Sequence, residues 1–130
     1  MQEMEFAEAV WRLIEAIFEF GLPSELMRRM MVSRLYYAAY HVALLLLKNV
    51  GWTPPVGRGA HGLVLLQLQQ HYVNTGQMHT DATNALERLM QLRVRSDYYI
   101  DLRLRERDVR RAMRLFRAFF DECIRILGVT

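Results

Sequence analysis

The sequence predicts an all-α domain, an up-and-down bundle of four to five helices. Three observations lead there. Apolar residues recur at three- and four-residue steps along most of the chain, no strand-like alternation bounded by hairpin turns occurs, and glycine or proline punctuates the periodic stretches. Short connections between successive helices favour antiparallel neighbours. A chain of 130 residues fits one domain, 1–130, and at that size buries roughly two-thirds of its unfolded surface.

The first helix is expected from about Gln2 to Phe20, with Phe6, Val10, Leu13, Ile14 and Ile17 on one stripe and Gly21 ending it. After Pro23, Ser24 is placed to cap a long second helix from Glu25 to about Val50, which stops at Gly51. The stretch Trp52 to Ala60, with Pro54-Pro55, Gly57 and Gly59, reads as the longest loop. A third helix, about His61 to Asn74, carries Leu63, Leu66 and Val73. Gly76 breaks it, and Thr80 or Asp81 caps a fourth that runs through Leu86, Leu89 and Met90 to about Tyr99. The last helix, about Glu106 to Leu127, repeats Val109, Met113, Phe116, Phe120, Cys123 and Leu127 as one core seam.

Cys123 is the only cysteine, so no intrachain disulfide forms, which fits a reducing compartment. The N-terminus is acidic where a signal peptide is basic, and the apolar run Leu35 to Leu47 is too short to span a bilayer. The expectation is a cytoplasmic protein that uses no membrane. Net charge is only +3, but residues 1–25 hold six acids against Arg12 alone, while residues 93–117 hold nine arginines against four acids. Such helices either pack side by side and partly neutralise each other or present a basic face to an acidic partner. Arg103, Arg107, Arg110, Arg114 and Arg117 form a stripe on the last helix, read by default as a solvated face. Lys48 is the sole lysine among seventeen basic residues, so arginine content by itself is weak support for RNA binding.

Candidate chemistry concentrates on two helices. Arg34, Tyr37 and His41 form one polar line on the otherwise apolar second helix. On the fourth, Arg93 and Asp97 extend the stripe Leu86, Leu89, Met90 and stand i, i+4 to each other. Two readings follow. Arg93 and Asp97 are a buried ion pair that sets helix register. Alternatively Arg34, Tyr37, Arg93, Asp97 and Tyr98 converge on a polar groove that holds a phosphate or nucleotide through bidentate guanidinium contacts. His61 opens a helix beside the glycine loop, where Arg58 and the helix N-terminus would hold an anion, or it is an exposed capping residue. The histidines and Cys123 show no HxxxH or CxxC spacing, so no metal and no cofactor is implied. Neither GxxxxGK nor GxSxG occurs.

Three pieces of the sequence carry a family resemblance: Ser33-Arg34-x-Tyr36-Tyr37-Ala38-Ala39-Tyr40-His41, Arg58-Gly-Ala-His61-Gly, and Leu92-Arg93-x-Arg95-Ser96-Asp97-Tyr98. Together they resemble the HEPN domain family, more narrowly its small stand-alone prokaryotic members, over about residues 24–127. The resemblance implies a HEPN-like helical bundle that forms a homodimer. It also implies partnership with a minimal nucleotidyltransferase in a two-component toxin–antitoxin system, and binding of nucleotide or RNA. Catalytic members of that family are metal-independent ribonucleases with an Arg and a His near the fourth helix, facing the dimer cleft. The matching region here, Arg93 to Asp101, contains no His. Such a site needs a group that exchanges protons near neutral pH, for which His is the usual side chain. Arg34 and His41 match the spacing elsewhere in the chain. The expectation is therefore a binding module, with a ribonuclease using Arg34 and His41 as the alternative. A purely structural polar line is the third reading.

Overall fold

The structure, a computed structural model, describes residues 2–55 and 60–128. Five helices follow in order: α1 Gln2–Glu19, α2 Glu25–Asn49, α3 Ala60–Leu68, α4 Thr80–Tyr98 and α5 Glu106–Leu127, with no strand among the described residues. The wider π-helical turn Gln69–Val73 continues α3. The all-α helical bundle is as the sequence predicts.

Local chemistry accounts for the helix ends. The Ser24 hydroxyl accepts the Met27 amide at 3.2 Å at the start of α2. Glycines in the left-handed region, Gly51 (φ 83) and Gly128 (φ 69), follow α2 and α5. At the start of α5 the Arg105 amide donates to Asp108 Oδ2 at 2.8 Å. The residue capping α4 is His79, one position before Thr80.

Cross-contacts give the directions. Phe6 meets Tyr37 while Ile17 lies beside Met27, so α1 runs antiparallel to α2. Tyr36 meets Arg93 while Arg29 meets Tyr99, and Phe18 meets Arg110 while Trp11 stacks on Phe116, so α2/α4 and α1/α5 are antiparallel too. α2 is the central element, packed by α1, α3, α4 and α5. Its Val32, Leu35, Ala39, Val42 and Leu46 are fully buried with Phe116, Phe119 and Phe120 of α5. By length and composition α2 is the one helix among the described residues apolar enough to cross a membrane, and 56% of its most apolar window is buried inside the bundle.

Two expected core stripes are corrected. On α3 the inward residues are Val64 and Leu68, followed by Tyr72, whereas Leu63 and Leu66 are exposed. That short helix is apolar nearly all round, so periodicity could not choose its face. On α1, Phe6 and Leu13 point outward, and Met4, Ala7, Val10 and Ile14 are buried. The opposite charges of α1 and α5 also do not meet as ion pairs: among the described residues every ion pair joins groups no more than four positions apart. Instead Arg110 lies 4.6 Å over the Phe18 ring and Arg117 lies 5.1 Å over Trp11.

Candidate functional site

Helix α2 presents two polar lines, one position apart in sequence and so about 100° apart around the axis. Arg34, Tyr37 and His41 form one; Ser33, Tyr36 and Tyr40 form the other, with the same i, i+3, i+7 spacing. The second line faces α3 and α4 and carries the site.

Arg93 and Asp97 of α4 form an ion pair at 2.9 Å, with side chains 26% and 28% exposed. The Ser33 hydroxyl donates to the same Asp97 oxygen at 3.3 Å, which ties the pair to α2. The Arg93 guanidinium lies 5.9 Å from the centre of the Tyr36 ring and 5.4 Å from that of Tyr98. Its Nε faces Asp97, and no acceptor among the described residues takes up its two terminal nitrogens. A half-buried, fixed guanidinium with an open donor fork results.

His61, in the first turn of α3, completes the cluster. Its Nδ1 lies 2.5 Å from the Tyr36 hydroxyl, and its ring centre lies 4.4 Å from that of Tyr40. Burial, followed by repulsion from Tyr40, holds the Tyr36 phenol well above its usual range, though Arg93 pulls the other way. Burial, followed by the positive charge of Arg93, pushes the His61 imidazole below its usual 6.5. Both groups are thus neutral near pH 7. The Tyr36 hydroxyl is buried and has His61 as its one partner among the described residues, so its proton goes to Nδ1. That assigns the imidazole proton to Nε2. Arg93 and His61 therefore flank one aromatic ring as two positioned donors, an arrangement suited to phosphate oxygens.

The arginine Arg29 braces this site from α2. Its guanidinium donates to the carbonyls of Arg95, Ser96 and Tyr99 at 3.2, 2.9 and 3.3 Å, and to that of Leu102. It thereby satisfies the open C-terminal carbonyls of α4, in the turn that carries Asp97 and Tyr98. Glu25 accepts from Arg29 at 3.2 Å and from the Leu104 amide at 3.1 Å, with its carboxyl held below the usual range chiefly by that amide.

Of the residues singled out from sequence, Arg93, Asp97, Tyr98 and His61 come together. Arg34 reaches only the edge, lining a groove of about 400 Å³ with Ser33, Ser96, Asp97 and Ile100. Tyr37 and His41 do not join: they face α1 and line a separate hollow with Gln2, Glu3 and Phe6, their ring centres 4.4 Å apart. Arg58 lies outside the described residues. Sequence reasoning missed Ser33, Tyr36, Tyr40 and Arg29. The signal for the first three was the same helical spacing one position over; for Arg29 there was none, because its acceptors are distant backbone carbonyls. Among the described residues no group of three His, Cys, Asp or Glu side chains is arranged to hold a metal ion. Set against models of known protein families the sequence matches none, and set against proteins of curated function it again matches none.

Proposed function

We propose that this chain is a HEPN-type module that binds a nucleotide or an RNA phosphate at the Arg93 cluster. On this reading it is the homodimeric, cytoplasmic member of a two-component pair with a minimal nucleotidyltransferase. The observation that carries the reading is the Arg93 guanidinium: fixed by Asp97, flanked by the Tyr36 and Tyr98 rings, and open at its terminal nitrogens. A planar donor fork between aromatic rings recognises a phosphate oxygen pair and a neighbouring base face. The His61 Nε2–H and the first turn of α3 add a second donor and a favourable dipole. The sequence resemblance supplies the family and the partner.

The second reading, a metal-independent endoribonuclease, is favoured by one observation. α3 supplies beside Arg93 the histidine that α4 lacks, so His61 replaces His41 as the acid–base candidate. Incubation of a mixed RNA pool with purified protein in excess chelator separates the two. The binding reading expects retained, uncleaved RNA, with retention lost in Arg93→Ala. Cleavage abolished by His61→Ala establishes the enzyme instead.

A further inference from the structure

Helix α1 carries two apolar seams, and the bundle uses only one. Met4, Ala7, Val10 and Ile14 are buried against the core. On the outward side Phe6, Ala9, Leu13, Ala16 and Phe20 recur at alternating steps of three and four, a large residue every seventh position with an alanine between. Leu13 is 63% exposed and Phe20 94%. The Phe20 amide still bonds to the Ala16 carbonyl at 3.3 Å, so the seam is helical to its end. One flank is apolar, a groove of about 320 Å³ between α1 and α2 that includes Val10, Ile17, Met27 and Met30. The other flank carries Glu5, Arg12 and Glu19. An exposed seam of this kind on an otherwise charged helix marks an interface.

We propose that the outward seam of α1 is where two copies of this chain meet, α1 against α1 and antiparallel across a two-fold axis. In an antiparallel pair each large seam residue faces a small one of the other helix, and the alanines allow close approach. One register meets every requirement. Leu13 packs over Ala16 of the second copy and Phe20 over Ala9, and the two-fold repeats both contacts. The same register brings Arg12 beside Glu19 of the second copy, twice, on the charged flank. Sliding by one heptad so that Phe6 faces Ala16 sets Arg12 against Arg12 and Glu5 against Glu19, which like-charge repulsion disfavours. This contact deepens the homodimer part of the proposed function. It uses no residue of the Arg93 cluster, so either can fail while the other stands.

Sedimentation equilibrium of the wild type, Leu13→Glu, Arg12→Glu and the double variant Arg12→Glu/Glu19→Arg tests it. These positions are exposed, so circular dichroism should show unchanged helicity. The wild type is expected to be a dimer and Leu13→Glu a monomer. Arg12→Glu should weaken association about tenfold, and the double variant should restore it. A monomeric wild type, a dimer indifferent to Leu13→Glu, or a double variant no tighter than Arg12→Glu overturns the proposal.

Discussion

The Tyr36 hydroxyl lies 2.5 Å from Nδ1 of His61 across the α2–α3 contact, and with both groups neutral the hydroxyl is the hydrogen-bond donor, which leaves the imidazole proton on Nε2. The tyrosine is buried and the histidine is held neutral by burial and by Arg93. If the site binds phosphate as proposed, recognition depends on a hydrogen bond that itself touches no ligand, in the way that outer partners orient catalytic or metal-bound histidines.

Replacing Tyr36 by Phe keeps the ring under Arg93 but leaves Nδ1 without its donor. The expected cost is about 1 kcal/mol of folding stability, read from urea denaturation, together with a change in the His61 ring-nitrogen chemical shifts. Unchanged shifts would show that the imidazole is not oriented by Tyr36.

Acid should destabilise the fold through His61. Its folded pKa lies below the usual 6.5, so below that value the unfolded chain takes up a proton the folded chain resists. This contribution is intact above about pH 6.5 and is lost as the pH falls from there toward the lower folded value. Between about pH 7.5 and 5.5 the melting temperature of the wild type should therefore drop more than that of His61→Gln. Parallel curves would remove His61 from the account.

The Arg29 side chain is only 11% exposed and spends its donors on the end of α4. Arg29→Ala should cost about 1.5–3 kcal/mol, because the partly buried carbonyls of Arg95 and Ser96 lose a charged partner at once. Arg29→Lys should recover only part of this, since an ammonium cannot span the same set of acceptors. Thermal unfolding of both variants checks it, and equal stability of Arg29→Ala and wild type refutes the bracing role.

Within the core, Phe116 is fully buried and stacks on both Trp11 and Phe120. Phe116→Ala should cost about 3–5 kcal/mol through lost burial and a residual cavity. Denaturant midpoints would register this as a large shift, and a shift near zero would mean the bundle packs otherwise.

Much of the fold was legible because helices announce themselves locally. Ser24, Gly51 and the long seam of α5 placed their elements within a residue or two. What failed were faces. α3 is apolar on nearly every side, and α1 carries apolar residues on two sides, so periodicity alone selected outward residues such as Leu63 and Leu13 as core. The site shows the same limit. Arg93 with Asp97 was readable as an i, i+4 pair, but α2 offers two polar lines of identical spacing. Only the packing of α3 and α4 selects Ser33, Tyr36 and Tyr40 over Arg34, Tyr37 and His41. The bond from Tyr36 to His61, and those of Arg29 to the end of α4, join segments far apart in sequence and leave no local trace.

The most direct test is the affinity for a fluorescently labelled, 5′-phosphorylated single-stranded RNA, measured by anisotropy at low salt for wild type, Arg93→Lys and Arg93→Ala. If Arg93 is the phosphate anchor, wild type binds, Arg93→Ala loses at least about tenfold, and Arg93→Lys falls between them because it keeps the charge and loses the fork. Equal affinity in all three proteins, or no binding by the wild type, contradicts the claim that the Arg93 cluster recognises a nucleotide or RNA phosphate.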